Sequence, residues 1–184
     1  MKLTVYTADC VGSLSNCVYP NKQIITDEKA MAEAVKHDHV TAEYKDHYRG
    51  SSNFITADNV PLDCDNDHSD NPDDWITPFE VAMAFPDVAF VDVYSRNHMK
   101  VKDGKSARPR FHVYFVIPEI TDSKEYTALK KRIAASFPYF DGNALDSARL
   151  LFGVSVPQVE FYDGSSNIVD FLDDHDKDVY VVKR

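Results

Sequence analysis

Hydrophobic positions along this chain alternate between a two-residue and a helical period, and each change of period marks a boundary between elements. Leu3, Val5 and Tyr6 predict an opening strand. Thr26-Asp27 leads into Glu28–Val35, a helical stretch with acids at its start, where a helix favours negative charge. Residues 40–52 are polar and show no period. Phe54–Asp65 reads as extended chain with a break at Asn59–Pro61, and Asn66–Asp74 as a loop. Thr77-Pro78-Phe79-Glu80 joins a capping box to a proline at the first helical position, which predicts a short helix to about Phe85, stopped by Pro86.

Val88–Tyr94 and Arg110–Ile117 are rich in β-branched and aromatic residues, and they predict two antiparallel strands joined by a long basic loop around Gly104. Asp122 and Glu125 form a second capping box, opening a helix to about Phe137. A further helical turn or two is expected over Ala144–Phe152, ended by Gly153. Val156–Tyr162 and Val179–Val182 read as strands, with Asp163-Gly164 as a turn. Helices interspersed with hairpin-like strand pairs predict an α+β fold rather than a doubly wound parallel sheet.

Size and composition are consistent with one domain. The chain has 184 residues, 43% of them hydrophobic and 12% aromatic, sufficient for a core without cross-links. Cys10, Cys17 and Cys64 are odd in number and lack a CxxC spacing, so neither a disulfide framework nor a cysteine zinc site is expected. No apolar run approaches the roughly 20 residues that span a bilayer, and MKLTVYTADC lacks a signal-like apolar segment. The expectation is a soluble, cytoplasmic protein without a membrane partner.

The net charge of −10 is unevenly distributed. Asp63 to Asp87 carries acids without Lys or Arg, and Glu160 to Asp178 is again acidic. Between them Arg96, Lys100, Lys102, Lys105, Arg108 and Arg110 form a basic stretch interrupted by Asp103. Taken alone this is a solvated hairpin loop; beside carboxylates it also suits the binding of phosphates next to cations.

Three short segments carry candidate chemistry. In Leu62-Asp63-Cys64-Asp65 the two aspartates lie at i and i+2 on an extended segment, on one face and about 7 Å apart, placed to hold hard divalent cations. Aspartates at such spacing are also common in turns. In Arg108-Pro109-Arg110-Phe111-His112-Val113-Tyr114-Phe115, alternation puts Arg110, His112 and Tyr114 on a polar face and Phe111, Val113 and Phe115 on a core face. His112 there is either a surface histidine or a donor to a phosphate, with neighbouring arginines supplying bidentate geometry. In Leu145-Asp146-Ser147-Ala148-Arg149, Asp146 and Arg149 stand three apart at the start of the expected helix, the spacing of a simple ion pair.

In this order the three segments resemble the motifs of archaeo-eukaryotic primases, especially the primase-polymerases of phages, plasmids and integrated elements. The resemblance spans residues 54–153; Arg110 stands where the family commonly has a small residue two before its histidine. It implies an RRM-like antiparallel sheet with flanking helices, packed against an N-terminal αβ module, with lobes at about 1–53 and 54–184. It implies Asp63, Asp65 and Asp146 as catalytic ligands of two divalent cations, Mg²⁺ or Mn²⁺. His112 would contact the phosphates of an incoming NTP or dNTP. Arg108, Arg110 and Arg149 are the further candidates for phosphate contacts, and Arg96, Lys100, Lys102 and Lys105 those for the nucleic acid. The implied activity is template-directed nucleotidyl transfer on single-stranded DNA, with a helicase or primer-binding domain as a further partner.

Two other motifs are partly matched. Asp63-x-Asp65-x-Asp67 opens like a calcium-binding EF-hand loop, which would make the chain a noncatalytic Ca²⁺-binding module. However, His68 occupies the position expected for glycine, Asp74 that of the bidentate glutamate, and Pro72 intervenes. A nicking endonuclease needs two histidines flanking an apolar residue; His37-Asp38-His39 has aspartate there, and no second histidine lies near His112. A plain nucleotide-binding module is the remaining noncatalytic alternative.

Overall fold

The computed structural model describes residues 1–182. It is a mixed α+β fold with two antiparallel sheets. β1 (Leu3–Thr7) lies between β2 (Asn21–Ile25) and β3 (His39–Val40) in a small sheet, with α1 (Glu28–Ala34) linking β2 to β3. The larger sheet has the order β4-β5-β7-β6-β8, formed by β4 (Ala42–Tyr44), β5 (Phe54–Cys64), β6 (Phe90–Tyr94), β7 (Phe111–Ile120) and β8 (Val159–Tyr162). α2 (Pro78–Ala84), α3 (Ser123–Ser136) and α4 (Ile168–Val182) complete the chain. Among the described residues no helix is long and apolar enough to cross a membrane.

The helices start at the residues the sequence predicts, although Asp122 and Glu125 form only the forward half of the expected box. Asp27 accepts from Ala30 N, Asp122 accepts from Glu125 N, and Thr77 with Glu80 forms a reciprocal box behind Pro78. β5 does not break at Asn59–Pro61. It runs on with a register shift between Ala57 and Asn59, and Pro61 lies beyond the point where β4 stops, so its missing N–H faces an edge without a ladder partner.

Two expected elements take a different form. Val179–Val182 is not a strand: a helix begins at Asn167, whose side chain caps Asp170 N at 3.0 Å, buries Ile168 and Leu172 one turn apart, and runs on to Val182. Helical continuity and one anchored apolar face override the β-propensity of its last residues. Ala144–Phe152 is not a helix beyond the single 3-10 turn Gly142–Ala144. Asp146 Oδ1 instead accepts from Ala148 N at 2.8 Å, and Leu151 exchanges both backbone hydrogen bonds with His39 at 2.9 Å. Gly153, expected to end that helix, serves a close approach: a Cβ there would collide with the Lys36 carbonyl.

Both faces of the large sheet are covered. On one, Leu62, Val113, Phe90 and Phe115 pack with Val81, Tyr126, Ile133 and Leu172 of the three helices. On the other, Val91, Val93 and Tyr114 meet Leu3 and Val5 of β1 and Met31 of α1. The expected polar face of β7 is therefore mostly a second core. Tyr114 is fully buried, its hydroxyl 2.7 Å from His39 Nε2, and only His112 stands where that cover ends.

Candidate active site

The cleft opens where β5 and β7 emerge from beneath the small sheet. Asp63 and His112 are paired residues in the ladder, and Val93 of β6 lies beyond them in the same row. Cross-strand neighbours share a face, so the Asp63 and His112 side chains meet, with His112 Nε2 3.6 Å from Asp63 Oδ1. Asp65, two residues further, opens onto the same cleft, whereas Cys64 between them is buried and its thiol is pushed up to about 12 by desolvation.

The irregular segment 141–149 brings in the third motif. Past the end of β4 the edge of β5 is free, and Asp141 N bonds Asp63 O at 2.8 Å. The segment is anchored by the Tyr44 hydroxyl, which donates to Ser147 O at 2.6 Å, and by Arg49 Nη1, which donates to Ala148 O at 3.0 Å. Asp146 and Arg149 thereby reach the cleft that holds Asp63, Asp65 and His112, a space of about 340 Å³. Arg149 Nη2 lies 2.5 Å from Asp63 Oδ2.

Charge governs the protonation of Asp63. Burial alone would raise its pKa, but His112, Arg149 and Lys130 outweigh burial and hold the carboxyl below its ordinary range. Lys130 is itself fully buried, its Nζ 3.0 Å from Asp146 O, and desolvation pushes it down to about 8. It stands in the apolar stripe Tyr126, Leu129, Ile133 of α3, and a charged residue at an apolar-face position is the signal in the sequence that could have revealed it. Arg49 carries no such signal. It comes from the aperiodic 40–52 stretch, where Asp46 and His47 adopt left-handed backbone and Arg49 N bonds Cys17 O at 2.7 Å. The Nε atoms of Arg49 and Arg149 are both buried without a hydrogen-bond partner.

The basic stretch divides. Arg96 lines the cleft with its guanidinium 3.8 Å above the Phe152 ring, and Lys102 lines it with Nζ 2.9 Å from Asp65 Oδ2. Lys105 pairs with Asp67 at 3.2 Å outside the cleft, and Lys100 is exposed, its carbonyl accepting from Arg110. Arg108 and Arg110 do not line the cleft; both are fully buried. Arg108 donates to Asn66 O, Ser69 O and Asp70, and Arg110 to Asn97 O and Lys100 O, so each fastens one side of the loop to its base. Alternation predicted the face of Arg110 but not the turn of chain that encloses it.

The alternative metal and histidine motifs take other forms. The acids after Asp65 each meet a separate partner, Asp67 with Lys105, Asp70 with Arg108 and Asp74 with Ser69, and a strand rather than a helix precedes them. His39 is buried with both ring nitrogens engaged, and Asp38 accepts from Gly12, Ser13 and Gly153 N.

Among the described residues no three His, Cys, Asp or Glu side chains already converge as a metal cage. Asp63, Asp65 and Asp146 nonetheless offer only hard oxygen donors to one cleft, and the first two hold the cationic ends of Arg149 and Lys102. That donor chemistry fits a hard divalent cation.

Neither a protein-family model nor a curated protein sequence matches the chain. Among solved structures, the AEP domain of the cyanophage S-2L primase-polymerase overlays on it with a TM-score of 0.53, covering 93% of this chain and 88% of that domain at 14% identity. The chain shares the fold of that domain. Within this AEP fold the cleft is assembled from three separate segments, β5, β7 and 141–149, with Arg49 and the Arg96–Lys102 loop at its rim.

Proposed function

We propose that the chain is a nucleotidyltransferase that extends a strand on a single-stranded DNA template from NTPs or dNTPs, as a primase-polymerase does. One observation carries this reading: in an AEP fold, Asp63, Asp65, His112, Asp146 and Arg149 line one cleft. The five-stranded sheet is taken as the RRM-like sheet of the family, β1–β3 with α1 as the αβ module, and the chain as one catalytic domain.

Asp63 and Asp65, with Asp146, would hold the divalent ions, Mg²⁺ or Mn²⁺, which supply charge neutralisation at the α-phosphate and a lowered pKa for the attacking 3′-hydroxyl. Every other contribution comes from the chain. Asp63, kept anionic by its cationic neighbours, retains its ligand form at neutral pH. Arg149 and Arg49 line the cleft and present guanidinium groups to the triphosphate, where charge-assisted hydrogen bonds are strongest. His112 donates to a phosphate oxygen beside them. Lys102 must leave Asp65 for that carboxylate to act as a ligand, which puts the Arg96–Lys105 loop in position to follow the nucleic acid or the triphosphate. Arg108 and Arg110 brace that loop rather than touch substrate.

The test is incorporation of labelled NTPs and dNTPs on single-stranded DNA, with and without primer, in Mg²⁺ and in Mn²⁺. The native chain is expected to make product and Asp63→Ala none; product without primer marks a primase. Synthesis retained by Asp63→Ala would remove the two-metal assignment.

A further inference from the structure

A second groove leaves the cleft at Asp146, which lines both. Its floor is the N-terminal half of α3, where Lys124, Thr127, Ala128 and Lys131 recur at i, i+3, i+4 and i+7 and so form one stripe of the helix. Ser123 and Ser147 close its inner side with hydroxyls 2.7 Å apart. Lys124 and Lys131 are both exposed, and neither is ion-paired among the described residues.

Neighbouring cations beside the cleft and on α3 contrast with the two lysines of the groove. Lys102 and Lys105 are held by Asp65 and Asp67, and on α3 itself Arg132 is neutralised by Asp173 and Asp176 of α4. Of the acids near the groove's mouth, Asp122 accepts from Glu125 N as the cap of α3 and Glu125 lies one position round the helix from Lys124. Uncommitted positive charge on α3 therefore survives on the flank that joins the cleft. Two lysines about 10 Å apart along a helix axis, with Thr127 between them, match an extended polyanion better than a single phosphate.

We propose that this stripe of α3 is a track for single-stranded nucleic acid. Lys124 and Lys131 contact successive parts of the phosphate backbone, and the serine hydroxyls guide the strand into the cleft at Asp146. The proposal rests on the nucleotidyl-transfer reading for its direction of travel, but its binding step can be tested separately. Binding of a labelled single-stranded oligonucleotide is followed by fluorescence anisotropy across a salt series, for the native chain, Lys124→Ala/Lys131→Ala and Lys2→Ala/Lys22→Ala. The last pair removes equal charge from another groove.

The α3 variant is expected to bind about tenfold or more weakly, with the slope of log affinity against log salt reduced by about 1.4 for two lost phosphate contacts. The control pair should change affinity by less than about twofold. Equal weakening by both pairs, or no change in the α3 variant, would overturn the track. If native protein binds through α3 yet makes no product, the polymerase reading falls and the track stands. If product forms while the α3 variant keeps its affinity and salt slope, the track falls and the polymerase reading stands.

Discussion

Asp63 and Asp92 are both buried aspartates of the same sheet, one on β5 and one on β6, yet their surroundings push them in opposite directions. Asp63 has His112, Arg149 and Lys130 around it and stays below the ordinary carboxylate range. Asp92 faces the helix layer, where Glu160 of β8 is its paired residue and one of its oxygens has no hydrogen-bond partner. Desolvation first, and then Glu160, raise it to about 7. Equal burial thus gives one acid that stays ionised, ready to hold a cation, and one that is half protonated near neutrality. Compensating positive charge, present at Asp63 and lacking at Asp92, decides between them; burial raises both.

The contrast is most sharply broken or upheld by activity. Asp63→Asn is expected to lower nucleotide incorporation by at least about a thousandfold, since the carboxylate charge is lost with the ligand. Asp92→Asn should leave incorporation within about twofold in the same assay, because it faces the opposite side of the sheet. A large loss in Asp92→Asn would mean that the two acids are coupled.

Stability against pH provides the next test. A carboxyl raised in the folded state stabilises the fold fully below its unfolded value near 3.8, and that contribution is lost as pH rises through about 7. Across that window the loss is up to roughly 4 kcal/mol. Asp92→Asn should remove most of it, so urea midpoints at pH 5 and pH 8 should draw together. Asp63 has the opposite sign: its depressed pKa contributes stability above its unfolded value that is lost as pH falls through the folded value. Arg149→Met should shrink that acid limb and destabilise the protein at pH 7 by about 1–2 kcal/mol, less than a fully buried pair because Arg149 is partly exposed.

The smallest effect is expected from Glu160→Gln. Glu160 is exposed and its repulsion is screened, so the Asp92 titration, followed by carboxyl NMR, should move down by less than about one pH unit while desolvation keeps it raised. A return to an ordinary aspartate value would mean that Glu160, not burial, holds it up.

The site was partly readable before the fold. Strand alternation predicted that Asp63 and Asp65 share a face, and both line the cleft. Motif order pointed to His112, Asp146 and Arg149, and the fold brings all three to the same space. Arg49 was not readable, because its segment has no period and its place depends on left-handed backbone at Asp46 and His47. Arg108 and Arg110 read as phosphate ligands from charge alone; only the folded loop shows both enclosed, Arg108 bonded to backbone carbonyls and Asp70, and Arg110 bonded through Nη1 to two carbonyls with Nε and Nη2 buried unpartnered.

Local signals determined what local energetics control: the capped starts of α1, α2 and α3 and the strands β1, β5, β6 and β7. Tertiary structure decided the rest. Val179–Val182 became helical because the helix begun at Asn167 was already anchored upstream. The 144–152 segment remained irregular because Asp146 bonds the Ala148 backbone and His39 takes both backbone groups of Leu151. The upper face of β7 became core because a second sheet lies over it. For Leu151 and for β7 the partner is distant in sequence, and for Val179–Val182 it is the anchored helix upstream; each supplies contacts that outweigh the few tenths of a kcal/mol per residue by which propensity prefers one conformation to another.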